Sequence, residues 1–189
     1  MPEITPNSML NKWDYSKTSM VCYSDRDCTS YKKAAEFLGD TIEDWGGGTG
    51  WAKRYFKNYR NVDGSLHPNV DEVVDLVKYT SKVENILLRQ VLSLNEDWKK
   101  IIDNAKRSFS KKLCIVVFSP FSDGETKIGE VEAAKDCNDE LRGFDHILIF
   151  FKKQDILDCF PINEFKVSEE TVETEQGYNQ DWILYVERL

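Results

Sequence analysis

The segment Asp44-Trp45-Gly46-Gly47-Gly48-Thr49-Gly50 concentrates the chain's most suggestive chemistry in one turn. Glycines at alternate positions let a backbone reverse sharply and approach a ligand with no Cβ in the way. Asp44, just ahead of them, is placed to accept a hydrogen bond from a cationic amine. A second acid, Asp63, closes the next short apolar stretch and is followed by Gly64 and Ser65. A carboxylate at the end of a second strand is suited to gripping both hydroxyls of a ribose. Together these residues imply a nucleoside cofactor that also carries an amine.

Two common glycine-turn cofactor classes fit poorly. The dinucleotide fingerprint G-x-G-x-x-G requires a third glycine where the helix packs on the strand. Counting from Gly46 and Gly48, that place is Trp51. A phosphate-binding P-loop requires Gly-Lys-Ser/Thr after the turn, and none follows Gly50. The spacing present is G-x-G-x-G with an acid two residues before the first glycine.

These residues need a scaffold that sets them at one edge. Hydrophobic periodicity predicts a helix over residues 31–38, ended by Gly39, and a strand over 41–45. Residues 51–57 read as a helix opening from the glycines, whose free amides would face the ligand. Strands are predicted at 60–63, 73–76 and 84–91. A helix over 96–110 carries apolar residues at Trp98, Ile101, Ile102, Ala105 and Phe109. Residues 113–118 form the clearest strand, continuously apolar and stopped by Ser119-Pro120. Residues 124–143 read as an acidic loop with one helix, 147–151 as a strand, 154–160 as a short helix and 182–186 as a final strand. The acidic runs 130–132 and 169–175 read as solvated surface. Strands alternating with helices predict a mostly parallel α/β sheet with helices on both faces. In such sheets ligands bind beyond the carboxyl ends of the strands.

The chain has 189 residues, enough for one domain with a sizeable core. A net charge of −8 disfavours nucleic acid as the main partner, because a phosphate backbone rewards clustered Lys and Arg. The apolar runs are too short to span a bilayer, and the first residues lack a signal-peptide pattern, so no membrane association and a cytoplasmic location are expected. Five cysteines with no C-x-x-C pair and two histidines offer neither a disulfide framework nor a metal site.

Residues 42–50 and Val62-Asp-Gly-Ser65 resemble the first and second motifs of the class I S-adenosylmethionine (SAM)-dependent methyltransferases. Residues 86–95, followed by Asp97-Trp98, resemble the fourth-strand segment of bacterial and phage-type members. The resemblance spans roughly residues 30–189. It implies a Rossmann-like sheet of seven strands, mostly parallel, whose last strand is antiparallel between strands five and six, with 147–151 among its strands. SAM would be the cofactor. Asp44 would hold the methionine amine, with Trp45, Gly46, Gly47, Gly48 and Gly50 under the methionine and ribose. Asp63, Gly64 and Ser65 would hold the ribose, and Asp75 or Tyr79 would lie near the adenine. Arg89 and Gln90 would approach the methyl group.

The resemblance also implies methyl transfer to a small-molecule hydroxyl or amine, such as a sugar or metabolite. Gln90 and Asp97 are the catalytic candidates, and Asn95, Trp98 and Phe121 the acceptor-side candidates. Residues 1–30 would form an aromatic arm, with Trp13, Tyr15 and Tyr23, acting with Tyr31 as a lid on a domain spanning 31–189. His67 is a weaker nucleoside candidate, and His146 falls at the wrong strand end for catalysis. Bacterial and phage-type members carry His-Val-Leu-Glu-His where this chain has Gln90-Val-Leu-Ser-Leu94. The missing histidines keep open an alternative, a non-catalytic SAM-binding or protein-interaction module on the same fold.

Overall fold

A computed structural model describes residues 29–119, 121–131, 146–173 and 180–189. Helix α1 (Thr29–Leu38) leads into strand β1 (Thr41–Trp45). Then come β2 (Asn58–Asp63), β3 (Glu72–Val73), β4 (Val83–Arg89), α2 (Trp98–Ser108) and β5 (Phe109–Ser119). A hairpin of β6 (Lys127–Val131) and β7 (His146–Phe150) precedes α3 (Lys153–Leu157), β8 (Phe165–Glu173) and β9 (Gln180–Arg188). Seven strands form one sheet in the order β3-β2-β1-β4-β5-β9-β8. The first five are mutually parallel, and β9 runs antiparallel between β5 and β8. The carboxyl ends of β1, β2, β4 and β5 therefore share one edge with the start of β9.

The strands bury both faces. Trp45, Val62, Ile86, Leu88, Leu113, Ile115, Val117, Trp182 and Leu184 face α2, whose Trp98, Ile101, Ile102 and Ala105 complete that core. Ile42, Leu87, Cys114, Val116 and Ile183 face α1 through Tyr31, Ala34 and Leu38. Such side chains contribute about 1.5–3 kcal/mol each when fully buried, so the sheet is held independently of any ligand. Among the described residues, no helix is long and apolar enough to cross a membrane.

Three expectations are corrected. Residues 51–57 do not form an α-helix: only a single 3₁₀ turn, Trp51–Arg54, forms. About twelve residues must carry the chain from the end of β1 back to the start of β2. A helix rising ~1.5 Å per residue would use nearly all of them to span a five-residue strand, leaving none for the turns. Ala52 and Phe56 are drawn into the core instead.

Residues 147–151 do not enter the main sheet. Their strand pairs only with β6, which the acidic-loop reading of 124–143 missed, and the hairpin lays Ile149 and Phe151 over the α2 core. The strand that flanks β9 at the sheet edge is β8 instead, largely read as solvated charge. Phe165 is buried and Val167, Glu170 and Val172 are half-buried, while Lys166, Ser168, Glu169, Thr171 and Glu173 are exposed, so most of its charge lies on the open side of an edge strand. Charged edges discourage pairing with another chain. The rest of 124–143 and the arm 1–28 lie outside the described residues.

Candidate functional site

The glycine turn sits where β1 ends, as the spacing predicted, but it is shaped largely by the protein's own atoms. Gly46 has φ +75°, and a Cβ there would lie 2.4 Å from Val91 Cγ2. At Gly47 a Cβ would lie 2.5 Å from both Asp44 Oδ2 and Asn61 Oδ1. Gly50 is left-handed as well, at φ +80°. Gly47→Ala is expected to lower stability by about 1–3 kcal/mol through overpacking and to displace Asp44. Thermal unfolding with and without S-adenosylhomocysteine (SAH) checks this; an unchanged midpoint and an unchanged response to SAH would refute it.

Asp44, Tyr59, Asn61 and Asp63 project from one face of β1 and β2, as the two-residue period of a strand requires. Tyr59 donates its hydroxyl to Asp44 Oδ2 at 2.7 Å. Asn61 is fully buried, and its Nδ2 donates to the carbonyls of Gly48 and Asn69, each at 2.9 Å. Its Oδ1 has no hydrogen-bond partner. Asp63 accepts from the Gly48 amide at 2.9 Å and the Ser65 amide at 2.8 Å. The second acid thus ties the first motif to the second. A carboxylate is an acceptor with about four lone-pair positions, so one group can fasten a turn and also meet hydroxyls.

Burial governs the electrostatics. Asp44 is 2% exposed, and desolvation pushes its carboxyl up to about 7, against the Tyr59 hydrogen bond, with the Asp63 charge raising it further and Arg89 opposing. Burial also raises the Tyr59 hydroxyl, reinforced by the Asp44 charge. The site is therefore a dry carboxylate that an arriving cation would stabilise.

At the end of β4, Arg89 and Gln90 meet β9. The Arg89 guanidinium lies 4.5 Å from the centre of the Tyr31 ring, donates to Ser30 Oγ at 3.2 Å and stands 3.6 Å from Asp181 Oδ2. Gln90 is the one non-glycine residue among those described with a positive φ, +59°. Its Nε2 donates to Asp181 Oδ1 at 2.9 Å. Tyr31, expected in the lid, does join the site, but from the first turn of α1.

Other predicted residues fall elsewhere. The Trp45 indole is fully buried on the face opposite Asp44 and donates to Glu43 at 2.8 Å, so its side chain belongs to the core. The Tyr79 hydroxyl donates to Glu43 at 3.3 Å and its ring packs edge-on against Trp45. Glu43 is 1% exposed, and a buried carboxylate needs such partners; Ser81 and Arg60 supply the rest. Trp98 packs in the core, edge-on at 5.1 Å against Phe151, in the helical stripe its spacing predicted. Asn95 is buried and donates to the Val91 carbonyl at 2.6 Å, shaping the β4 loop. Asp97 pairs with Lys100 at 2.9 Å across the first turn of α2. Asp75 accepts from the Val77 amide at 3.1 Å, holding the turn after β3. Phe121 packs edge-on against Trp182 at 5.2 Å, beside Asp181. His67 Nδ1 accepts from the Asn69 amide at 3.1 Å in the loop after β2.

Reading the sequence did not single out Tyr59, Asn61, Ser30 or Asp181. The first two carried a usable signal, since residues two and four before Asp63 share its face. Asp181 carried none, because it meets Gln90 only through the pairing of β5 with β9.

No protein-family model matches the chain, and no curated protein sequence does. Solved structures do. A Burkholderia thailandensis 1,6-didemethyltoxoflavin N1-methyltransferase, bound to 1,6-didemethyltoxoflavin and SAH, aligns with a TM-score of 0.64 at 14% identity, covering 86% of this chain and 79% of that one. Magnesium protoporphyrin IX methyltransferase from Synechocystis PCC 6803, with SAH bound, aligns at 0.58 and 16%, covering 85% and 83%. The Pnkp1/Rnl/Hen1 RNA repair complex aligns at 0.55 and 17%, covering 84% of this chain and 40% of that one. The strand order, the antiparallel β9 and these likenesses agree: the chain has the fold of the class I SAM-dependent methyltransferases.

Proposed function

We propose that the protein binds SAM and transfers its methyl group to a hydroxyl or amine of a small molecule. One observation carries this reading: Asp44 and Asp63 lie on one face at the ends of adjacent strands, joined through a glycine turn. The residues fit such a cofactor. The Asp44 carboxyl, desolvated and pushed up to about 7, gains a counter-charge from an ammonium. The Asp63 carboxylate, at the end of the second strand, is the chemical type that a ribose diol would donate to. Asn61 Oδ1, buried without a hydrogen-bond partner, lies beside both. Bound SAM would supply an electrophilic methyl group on sulfur. The chain's part is to fix the methionine end through Asp44, fix the ribose through Asp63, and keep water from the β4 and β9 ends.

Two solved neighbours are named as methyltransferases of small molecules, 1,6-didemethyltoxoflavin and magnesium protoporphyrin IX. With the net charge of −8, they favour a small acceptor over nucleic acid. The RNA repair neighbour makes RNA oligonucleotides a necessary arm of any acceptor panel.

Calorimetry with SAM, SAH and NAD tests the cofactor. Micromolar or tighter binding of SAM and SAH, without NAD, is expected. NAD binding with neither SAM compound would refute the reading. The β4 loop favours a second reading, a SAM-binding module without turnover, because Val91, Leu92 and Ser93 are buried and no titratable residue stands between Gln90 and Glu96. Formation of SAH from SAM across amines, hydroxyl compounds and RNA separates the two.

A further inference from the structure

Gln90 differs from every other polar residue at this edge. Its backbone is held left-handed at φ +59°, a conformation that is strained for a side chain of its size. Such strain persists where the surroundings over-determine it. Here the Gln90 amide N–H donates to the Val116 carbonyl at 2.8 Å, and Val91, the next residue, fills the space against Gly46. The side chain is fixed at its tip as well. Asp181 is fully buried and already faces Arg89 at 3.6 Å. A carboxylate in that pair only accepts hydrogen bonds, so it must be met by the –NH₂ of Gln90, not by its oxygen. The observed contact has that sense, Nε2 to Asp181 Oδ1 at 2.9 Å. The consequence is that Gln90 Oε1 is left as the acceptor of the pair, shielded from solvent and without a hydrogen-bond partner.

We infer that Asp181 is a positioning residue that locks the Gln90 amide, so that its Oε1 faces the transferring methyl group and accepts a hydrogen bond from the N–H or O–H of the acceptor. This rests on the reading of the glycine turn as a SAM site. It narrows the acceptor to a nucleophile that keeps a proton as it attacks. The nitrogen or oxygen lone pair forms the new bond to carbon as the carbon–sulfur bond breaks, its electrons passing to sulfur. The acceptor's proton grows acidic, stays hydrogen-bonded to Gln90 Oε1 through the transfer, and passes to bulk water when the methylated product leaves the site. An amide is not a base, so Gln90 orients this proton and does not remove it. The Arg89 guanidinium, 3.6 Å from Asp181 Oδ2, faces the other carboxylate oxygen, so Oδ1 is the one that meets the Gln90 amide.

Sinefungin is a probe that needs no identified acceptor, because it carries an amine where SAM carries its methyl group. Its ammonium would donate to Gln90 Oε1, whereas SAH offers nothing there. The wild-type protein is expected to prefer sinefungin over SAH, and Gln90→Ala to reduce that preference about tenfold, the worth of a hydrogen bond to a charged group. Asp181→Asn is expected to do the same, because an asparagine amide permits Gln90 to turn its –NH₂ outward. SAH affinity should change less than about twofold in both. The double variant should lose no more than either single one, since Asp181 acts through Gln90.

Gln90→Asn tolerates the left-handed backbone and withdraws the amide oxygen, so it repeats the test should the alanine variant lose SAH. An unchanged preference in the Gln90 variants would overturn the inference. Additive losses in the double variant would also overturn it, showing that Asp181 acts by its charge alone. Wild-type protein that binds SAH with no preference for sinefungin would refute the Gln90 assignment while leaving the cofactor site standing. Binding of neither compound would overturn the SAM reading and this inference with it.

Discussion

Replacing Asp44 with asparagine is expected to stabilise the protein without ligand by up to roughly 4 kcal/mol at pH 8 and by almost nothing at pH 4. The sign follows from the direction of the shift. Burial raises the Asp44 carboxyl from the ordinary 3.8 to about 7. Between those values the folded protein holds a proton that the unfolded chain has released. Stability therefore falls as pH rises through this window and levels off above about 7. Asparagine keeps an oxygen for the Tyr59 hydroxyl and cannot ionise, so the slope disappears. Urea unfolding at several pH values reads this out directly. A stability difference that is the same at pH 5 and pH 8 would show that Asp44 is not buried as an unpaired acid.

The same substitution carries a functional loss. A bound ammonium favours the ionised carboxylate, so SAH binding below pH 7 is expected to release about one proton from the wild-type protein and none above about pH 8. Calorimetry in buffers of different ionisation enthalpy measures that proton. Asp44→Asn should abolish the release and weaken SAH roughly 10–100-fold, the loss of a charged hydrogen bond. A carboxylate retained at a stability cost is a common mark of a binding site.

Asp63→Ala is expected to damage both the fold and the affinity. It strips acceptors from the buried amides of Gly48 and Ser65. Each unsatisfied N–H costs about 1–3 kcal/mol, so a total loss of roughly 2–6 kcal/mol is expected in denaturant titration. In the proposed site the same carboxylate holds the ribose. Adenosine, which has the ribose but no amino acid, isolates that contact. Asp63→Ala should weaken adenosine by roughly tenfold or more, while Asp44→Asn should leave adenosine unchanged and affect only SAM and SAH. Adenosine affinity unchanged in Asp63→Ala would mean that Asp63 serves the turn alone. Asp63→Asn separates the two roles further. It keeps one oxygen but offers a donor to an amide that needs an acceptor.

The features legible in the sequence were those set by local rules. Residues 113–118 are apolar enough to announce a central strand. The helical stripe from Trp98 to Ala105 fixed α2. A glycine run after the first strand, with an acid at the next strand end, marked the carboxyl edge of the sheet, where the cofactor site is proposed. Misread elements are those in which a longer-range demand wins. Residues 51–57 have helical propensity, but the short crossover gives them no length to use it. The alternation in Phe165–Glu173 is hidden by charge, because an edge strand with one open face needs little apolar content. Residues 147–151 are apolar enough for the main sheet, yet they cover α2 from a hairpin.

The glycine turn shows the division within one site. Sequence alone placed Asp44 and Asp63 at consecutive strand ends, since period two and strand length determine which residues end each strand and which way they face. It could not show that Gly47 is required by Asp44 and Asn61 rather than by a ligand, nor that Asp63 fastens Gly48. Nor could it join Gln90 to Asp181, ninety-one positions away. That contact exists because β9 enters antiparallel beside β5, bringing its first residues to the edge where the parallel strands end. Spacing along the chain decides which side chains share a strand face. Strand order decides which faces meet, and only the packed sheet holds that information.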